Sequence, residues 1–416
     1  MNKITGRINF KKMLKDFMII NTFGAIYKTG GIERLAFSKD DLKARDYLIK
    51  VMIALGLTIE IDPIGNIFAR RKGLCNDTPP VVLGSHIDSV SNGGKFDGAL
   101  GVLAAIQIIR TLNENNIATR RPIVVAIFSC EESSGFGVAT VGSKCMVGRL
   151  AIEDLKRHKN SDGISIFDAA VNAGYNPANL ADAYVKPGIF WKYFELHIEQ
   201  GPILASEGYN IGLVSHIAAA VRYLVTILGE ANHSGTTPMY LRKDASLGAS
   251  EIELGIESIC KEAGICGTVG IRKNEPNNMN VIPGKVTLGI DIRSLDLKIR
   301  DSVSDKIVAL FDAIARKRNL EITHEVSTYD IPVMLSEDVV SSMAQIAEEE
   351  NIKYKIMPSG AGHDCMWLNE ICQSGLIFVP SLNKGISHHP DELSSWNDIY
   401  IALKLMFKIV LQSANE

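Results

Sequence analysis

The sequence predicts an α/β protein: a catalytic domain with a mostly parallel sheet flanked by helices, interrupted by a smaller α+β domain. Three observations predict this fold. Short apolar runs, such as residues 80–83 and 122–128, are typical of strands covered on both faces. Acidic residues and histidines follow several of these runs directly. From about residue 214 the pattern changes to alternating strands and two long amphipathic helices.

The catalytic domain is predicted from its elements in chain order. Residues 80–83 form a strand bounded by proline and glycine, and residues 98–112 form a helix with an apolar face. Two further strands are expected at 122–128 and 194–198, and a last one at 376–380. Strands that alternate with helices in this way favour parallel pairing.

The inserted domain is predicted from a different alternation. Residues 223–228 and 285–292 have strand patterns, and residues 245–263 and 299–318 have helix patterns. The α/β character returns near residue 331. We therefore expect a catalytic domain made of residues 1–213 and 330–416, and an inserted domain made of residues 214–329.

Composition excludes several classes of protein. The 416 residues include 44 basic and 47 acidic side chains, and this balance does not favour nucleic acid or an anionic membrane as a partner. We find no uncharged apolar run long enough to span a bilayer, and the amino terminus does not resemble a signal peptide. Seven cysteines without a CxxC pair favour a reducing cytoplasm over a disulfide framework.

The chemically active residues cluster at the predicted strand ends. Zinc, manganese, cobalt and nickel bind imidazole nitrogen and carboxylate oxygen, and two such ions can share one carboxylate. Each motif taken singly is more often structural, but their shared position after core strands predicts a site for two divalent metal ions. These residues are His86, Asp88, Asp97, Glu131, Glu132, His197 and His388 or His389.

The adjacent acids suggest a division of labour. Glu131 and Glu132 leave an extended strand end in opposite directions, so one can bind metal while the other faces the reacting water. Asp88 can hold the ring N–H of His86 and fix its tautomer. Serine-nucleophile and Walker motifs are absent, and Cys130 is more typical of a packed thiol than of a nucleophile. The residues alone thus predict a metal-dependent hydrolase.

Taken together, the motifs resemble those of the M20 metallopeptidase-like amidohydrolases, in the branch of N-carbamoyl-L-amino-acid hydrolases, allantoate amidohydrolases and β-ureidopropionases. The resemblance covers nearly the whole chain, and ELHIEQGP and HSGTTP are specific to this branch. The matching blocks are GSHIDSVSNGGKFDGALGVLA, FSCEESSGFG, ELHIEQGPIL, GEANHSGTTPM, NVIPG, DIRS, SGAGHD and GISHHPDE.

The resemblance implies a role for each matching residue. The implied metal ligands are His86, Asp97 as the bridge, Glu132, His197 and His388. Glu131 is the implied general base. In the substrate pocket it implies Gln200, His233 as oxyanion donor, Asn280 and Arg293 for the substrate carboxylate, and the Gly360–Ala361 backbone. It also implies that the inserted domain forms a homodimer interface and closes as a lid, with His233 able to come from the partner subunit.

Three departures from the family pattern bear on the function. Gly135 stands where the family usually has arginine, and His389 stands where a small residue usually follows the last ligand. Ala99 and Ala220 replace glutamines that are frequent in allantoate enzymes. The expected reaction is therefore hydrolysis of an N-carbamoyl-L-amino acid. The alternatives are allantoate amidohydrolase, β-ureidopropionase, an aminoacylase or dipeptidase, and a non-catalytic binding protein.

Overall fold

The chain divides into two units in the computed structural model, which describes residues 8–133 and 135–416. The first unit comprises the described chain up to His216 together with Met334–Glu416, and the second comprises Ile217–Val333. The second unit begins and ends close to the expected bounds of 214 and 329. Residues 1–7, on which the expectation about the amino terminus rests, and Ser134 lie outside the described residues.

Strands and helices alternate through most of the described chain. The strands are β1 (Ala25–Ile26), β2 (Gly31–Ile32), β3 (Thr58–Ile61), β4 (Ile67–Arg71), β5 (Val81–His86), β6 (Ile123–Phe128), β7 (Lys192–Ile198), β8 (Ile211–Ile217), β9 (Ala219–Leu228), β10 (Asn232–His233), β11 (Cys266–Glu275), β12 (Val281–Ile282), β13 (Lys285–Ser294), β14 (Glu321–Tyr329), β15 (Val333–Met334), β16 (Tyr354–Ser359) and β17 (Gln373–Val379). The helices are α1 (Phe10–Ile20), α2 (Lys39–Ala54), α3 (Ala99–Glu114), α4 (Val141–Met146), α5 (Ile152–Arg157), α6 (Ile166–Asn172), α7 (Ile203–Glu207), α8 (Ala245–Ala263), α9 (Leu297–Arg318), α10 (Glu337–Glu349), α11 (Asp364–Leu368) and α12 (Trp396–Ser413). Among the described helices, none is both long enough and apolar enough to cross a membrane.

The large sheet of the first unit has a parallel centre and antiparallel edges. Along its main path the strands follow the order β15-β8-β17-β7-β5-β6-β4-β3, with β16 paired to β8. The β17–β7, β7–β5 and β5–β6 pairs are parallel, whereas β4 and β3 on one side and β8 on the other pair antiparallel. The predicted parallel sheet is thus confirmed for its four central strands, and the predicted helices flank it.

The central strands are buried because both faces of the sheet are covered. Every residue of β5 and β6 is buried, which explains the continuous apolar runs in the sequence. Helix α3 contacts β5, β6 and β7, and its residues are buried from Ala99 through Leu112. The carboxyl ends of β5, β6, β7 and β17 meet at one edge of the sheet, which is where open α/β sheets usually bind ligands.

The second unit is a four-stranded antiparallel sheet packed against two helices. Its strand order is β11-β13-β9-β14, and α8 and α9 contact it and each other. Strand β13 alternates between half-buried and fully buried residues, because one of its faces meets the helices. Helix α8 is capped at its amino end by Asp244, whose carboxylate accepts two backbone N–H groups, and at its carboxyl end by Gly264 in the left-handed conformation.

Candidate metal centre

Three side chains meet at the carboxyl ends of β5 and β7. His86 is the last residue of β5, His197 lies near the end of β7, and Asp97 lies in the loop before α3. The Nε2 atoms of His86 and His197 are 3.4 Å and 3.2 Å from the same oxygen, Oδ1 of Asp97. All three residues are buried. These atoms form one group that could hold a metal ion.

The two histidines present their Nε2 lone pairs to this carboxylate. Nδ1 of His86 is 3.0 Å from the Asp88 carbonyl, and Nδ1 of His197 is 2.9 Å from the Ile198 carbonyl, so each Nδ1 donates its proton to the backbone. Nε2 of His197 also accepts the Gly98 N–H at 3.1 Å. When each imidazole is neutral and carries its proton on Nδ1, both sides of each Nε2–carboxylate contact carry lone pairs. A cation between them, either a proton on Nε2 or a metal ion, removes that repulsion.

A second group shares Asp97. Its other oxygen, Oδ2, is 3.3 Å from Nε2 of His388, and that nitrogen is 3.2 Å from Oε1 of Glu132. These atoms can also hold a metal ion. His389 points elsewhere, because its Nδ1 accepts the Asp391 N–H and its ring is half exposed. The geometry therefore brings His388, rather than His389, to the carboxylates.

The centre stabilises positive charge. Burial disfavours the charged His86 ring, but Glu131 and neighbouring carboxylates outweigh burial and raise the pKa of His86 well above its ordinary value. Burial lowers the pKa of His388 as well, yet hydrogen bonds to Asp97 and Glu132 raise it to about 11. Burial raises the pKa of Asp97, but the surrounding imidazoles, His197 first, bring it well below the usual range. Such electrostatics suit a site for divalent cations.

Glu131 lies beside the first group but belongs to neither. Its Oε2 is 3.6 Å from Nε2 of His86, and the residue is 8% exposed. Burial is the main cause that raises the pKa of the Glu131 carboxyl well above its ordinary value. The two adjacent acids thus face different partners, but they lie in the loop after β6, three and four residues beyond Phe128, rather than at an extended strand end.

Asp88 acts differently from the sequence-based expectation. Its carboxylate accepts the backbone N–H groups of Glu131 at 3.2 Å and Glu132 at 3.0 Å. The His86 ring instead donates to the Asp88 carbonyl oxygen, and the Asp88 carboxylate is 3.7 Å from that ring nitrogen. Asp88 therefore orients the backbone of both acids, and fixes the His86 tautomer through its main chain.

Gln200 spans the two halves of the centre. Its Nε2 donates to Oδ2 of Asp97 at 2.7 Å and lies 3.3 Å from Nε2 of His388. Its Oε1 is buried and has no hydrogen-bonding partner among the described residues. A buried amide oxygen without a partner costs free energy, so this atom is suited to accept an N–H group from a ligand.

Strained backbone accompanies the centre. Cys130, Gln200 and His388 have φ values of 52°, 56° and 55°, in the left-handed region that residues other than glycine rarely adopt. Each lies beside or within the cluster of acids and imidazoles. Such strain persists only where the surroundings enforce it, and it is frequent at functional sites.

Gly98 leaves room for the His86 ring. It has a φ of 59°, and a methyl group added to it would overlap the imidazole of His86. We expect Gly98→Ala to displace this ring and to lower metal content, measured by elemental analysis after dialysis. Gly56→Ala is the matched control, since Gly56 also has a positive φ but nothing within 4 Å of the added methyl group. Equal metal content in both variants would contradict this role of Gly98.

The Gly360–Ala361 backbone lies in the first unit, directly after β16. Oγ of Ser359 accepts the Ala361 N–H at 3.1 Å and is 3.0 Å from Nε2 of His363. The His363 ring contacts the His197 ring edge-on, with centroids 4.7 Å apart. Through His363, this loop therefore contacts His197, a member of the first potential metal-binding group.

His233 and Asn280 are neighbours in the second unit. His233 pairs with Val281 in the β10–β12 ladder, and the Asn280 carbonyl accepts the Ser234 N–H. Nδ1 of His233 accepts the N–H groups of Gly235 and Thr236 at 3.1 Å and 3.2 Å. The ring proton is therefore on Nε2, which makes His233 a hydrogen-bond donor at the exposed side of the ring.

Arg293 lies at the other end of the second unit's sheet. It is near the end of β13, opposite Ala220, whereas Asn280 precedes the first residue of β13, Lys285. At the usual rise per residue, Lys285 and Arg293 are roughly 27 Å apart along β13. Asp291 accepts two hydrogen bonds from the Arg293 guanidinium, which holds it in place.

Sequence reasoning missed three acids near the centre or gave them the wrong emphasis. Glu392 is buried and accepts the N–H groups of Phe96 and Asp97. Glu195 is buried beneath the site and accepts from Ser85. Glu199, which follows His197 in the sequence, caps α7 instead of joining the centre. All three acids lie in matching blocks, Glu195 and Glu199 in ELHIEQGPIL and Glu392 in GISHHPDE, but the blocks do not show which hydrogen bonds these carboxylates accept.

Comparison with known proteins identifies the family. The model of peptidase family M20/M25/M40 matches residues 82–412. An uncharacterized hydrolase from Haemophilus influenzae is 43% identical, over 92% of this chain and 93% of its own length. An N-carbamoyl-L-amino-acid amidohydrolase from a Pseudomonas species is 38% identical, over 94% and 96%. Relatives at 36% and 34% identity are named ureidoglycolate hydrolase, from Oryza sativa, and allantoate amidohydrolase, from Escherichia coli.

Solved structures agree with this relationship. The crystal structure of AtUAH in complex with (S)-hydroxyglycine superposes with a TM-score of 0.93 at 33% identity, over 98% of both chains. The chain belongs to peptidase family M20/M25/M40. Within that family it is an amidohydrolase, an enzyme that cleaves carbon–nitrogen bonds in amides other than peptides.

Proposed function

We propose that the protein hydrolyses the ureido carbon–nitrogen bond of an N-carbamoyl-L-amino acid, giving the L-amino acid, carbon dioxide and ammonia. The observation that carries this proposal is the Asp97 carboxylate shared by two potential metal-binding groups, with Glu131 beside them and outside both. The name of the Pseudomonas relative supports the choice of substrate.

The donor atoms fit two divalent ions. We assign His86 and His197 to one ion, Glu132 and His388 to the other, and Asp97 to both. Nitrogen and oxygen donors of this mixture accept zinc, manganese, cobalt or nickel. Two such ions would polarise the ureido oxygen and lower the pKa of a reacting water.

The chain's own residues would move the proton and stabilise the developing charge. Glu131 takes a proton from the attacking water as oxygen bonds to the ureido carbon, then passes it to the leaving nitrogen as the carbon–nitrogen bond breaks. The remaining carbamic acid releases carbon dioxide and ammonia. Nε2–H of His233 donates to the oxygen that becomes negative, in agreement with the tautomer set by Gly235 and Thr236.

Arg293 and Asn280 would bind the substrate carboxylate and its neighbouring atoms. Arginine suits this task because its planar fork pairs with a carboxylate through two hydrogen bonds. Gln200 and the Gly360–Ala361 backbone would line the rest of the pocket, and Oε1 of Gln200 could accept a ureido N–H.

A homodimer would reconcile the positions of these residues. Asn280 precedes the Lys285 end of β13 and Arg293 lies near the other end of that strand. We therefore propose that one chain supplies His233 and Asn280 and its partner supplies Arg293. The inserted domain would form the interface and close over the substrate as a lid. Strongly exposed apolar side chains near His233 and Asn280 support this interface. They are Met239, Tyr240 and Met279.

The main alternative substrates are other ureido acids. Allantoate and ureidoglycolate appear in the names of relatives, and β-ureidopropionate belongs to the same branch. Two alanines that replace glutamines frequent in allantoate enzymes favour the carbamoyl amino acid as substrate. Ala220 lies directly opposite Arg293, and Ala99 begins α3 beside the centre. We expect the enzyme to work in the cytoplasm.

Ammonia release tests the proposed reaction. Protein stripped of metal and reloaded with zinc, manganese, cobalt or nickel is expected to release ammonia from N-carbamoyl-L-amino acids faster than from β-ureidopropionate, allantoate or ureidoglycolate. The stripped protein should be inactive, because without metal ions nothing polarises the ureido oxygen or lowers the pKa of the reacting water. The measurement is a coupled assay of ammonia under saturating substrate.

The outcomes separate the alternatives. A preference for allantoate or ureidoglycolate would keep the mechanism and change the substrate. Hydrolysis of N-acyl amino acids or dipeptides without ammonia would indicate an aminoacylase or a dipeptidase. Tight binding of carbamoyl amino acids with no turnover by the metal-loaded protein would indicate a binding protein.

A further inference from the structure

The Glu392 carboxylate connects two segments that are distant in the sequence. Its Oε1 accepts the backbone N–H groups of Phe96 at 2.8 Å and Asp97 at 3.1 Å. Its Oε2 accepts the hydroxyl proton of Ser387 at 2.7 Å. One carboxylate thereby holds the main chain at Asp97 and the residue that immediately precedes His388.

The Asp97 segment is shaped to receive this carboxylate. Glu392 is 4% exposed, and a methyl group added to Gly94 would overlap its carboxylate. The Phe96 ring packs against Phe17 and Trp396, with centroids 4.8 Å and 5.4 Å away. Aromatic packing thus restrains the side chain of this segment, and the Glu392 hydrogen bonds restrain its backbone.

The conformation of the His388 segment depends on Glu392 more strongly than that of the Asp97 segment does. The His388 side chain is 47% exposed, so packing restrains it less than it restrains the buried His86 and His197. Its backbone is held in the left-handed region, which costs free energy. The Ser387 hydrogen bond and the bond from the Glu392 N–H to the His389 carbonyl oppose relaxation of this turn.

We propose that Glu392 is a positioning residue, which holds Asp97 and His388 at the separation that a shared ion requires. The inference rests on the proposed metal pair. His388 belongs only to the group with Glu132, whereas Asp97 belongs to both groups. Loss of the Glu392 carboxylate should therefore weaken the ion held by His388 more than the ion held by His86 and His197.

The test is zinc binding by the full chain. Equilibrium dialysis of wild type against zinc, with elemental analysis, is expected to give two ions per chain. Glu392→Ala should bind one ion almost normally and the other about 10–100-fold more weakly, as is typical when a partner of a ligand is removed. Thermal unfolding of the metal-free proteins should differ less than that of the zinc-loaded proteins.

Three further variants separate positioning from general stability. Asp391→Ala is the matched control, because the neighbouring Asp391 side chain is 73% exposed, and it should bind zinc like wild type. Glu392→Gln keeps an oxygen for the N–H groups of Phe96 and Asp97, so its loss should be smaller than that of Glu392→Ala. Gly94→Ala leaves Glu392 in the chain but pushes its carboxylate away, so it should resemble Glu392→Ala.

Two results would overturn the inference while leaving the proposed function intact. One is wild-type affinity for both ions in Glu392→Ala. The other is equal weakening of both ions together with a matching loss of stability in the metal-free protein. A wild-type chain that binds fewer than two ions would overturn the proposed metal pair itself, and the role of Glu392 with it.

Discussion

Glu131→Gln is expected to lower kcat by about 10²–10⁴-fold, the usual contribution of a general base, while metal content stays at the wild-type level. Glutamine has the shape of glutamate, but its amide cannot take the proton of the attacking water. Glu131 lies outside both potential metal-binding groups, so no metal ligand is lost. Steady-state kinetics and elemental analysis of the same preparation give both quantities.

Glu132→Gln is the matched comparison, because it changes the adjacent acid in the same way. Glu132 belongs to the group with Asp97 and His388, so this variant should lose metal as well as activity. Near-normal kcat in Glu131→Gln would exclude Glu131 as the base. Loss of metal in Glu131→Gln would make it a ligand instead.

The two acids can differ in role because Asp88 fixes their backbone. Its carboxylate accepts the N–H groups of Glu131 and Glu132, one at each oxygen. With the main chain held, the side chains leave in different directions, toward His86 for Glu131 and toward His388 for Glu132. The Asp88 carboxylate therefore serves the proposed reaction by holding this backbone, whereas the Asp88 carbonyl oxygen accepts the His86 ring proton.

Much of the fold was predictable because its central strands are buried on both faces. Strands β5 and β6 are buried throughout, and each contains a continuous apolar run, Val81–Leu83 and Ile123–Phe128, that is recognisable without any partner. The parallel arrangement then brings the residues after each strand to one edge of the sheet. This is why His86, His197 and Glu132, which are far apart in the chain, could be expected in one site.

The roles of Asp88 and Glu392 could not be predicted in the same way. Both carboxylates accept backbone N–H groups, and any residue type except proline supplies such a donor. The sequence of a donor segment therefore carries no signal for its acceptor. The choice between His388 and His389 also needed coordinates, because it depends on a left-handed backbone at His388.

The separation of Asn280 and Arg293 follows from strand register, which motifs do not report. NVIPG precedes DIRS in the sequence, but the motifs do not show that residues 285–294 form one strand with DIRS at its far end. Once β13 is paired with β9, the two motifs lie at opposite ends of the sheet. The proposed substrate site, which needs both motifs, would then take them from two chains.

His233→Ala is expected to lower turnover by about 10²–10³-fold, the usual cost of removing one oxyanion donor, with metal content unchanged. His233 belongs to the second unit, whereas the residues that group around Asp97 belong to the first. The substitution removes the Nε2–H group that would donate a hydrogen bond to the oxyanion. The measurement is kcat with saturating N-carbamoyl-L-amino acid, alongside elemental analysis. Wild-type turnover would contradict the proposed role of His233.

Mixing the two inactive variants tests whether His233 acts on the partner's site. If it does, a dimer of one His233→Ala chain and one Glu131→Gln chain contains one site with both residues intact. Random reassociation of equal amounts should then restore about a quarter of wild-type turnover, since half of the dimers are mixed and half of their sites are intact. If His233 acts within its own chain, every mixed site keeps one defect and no activity returns.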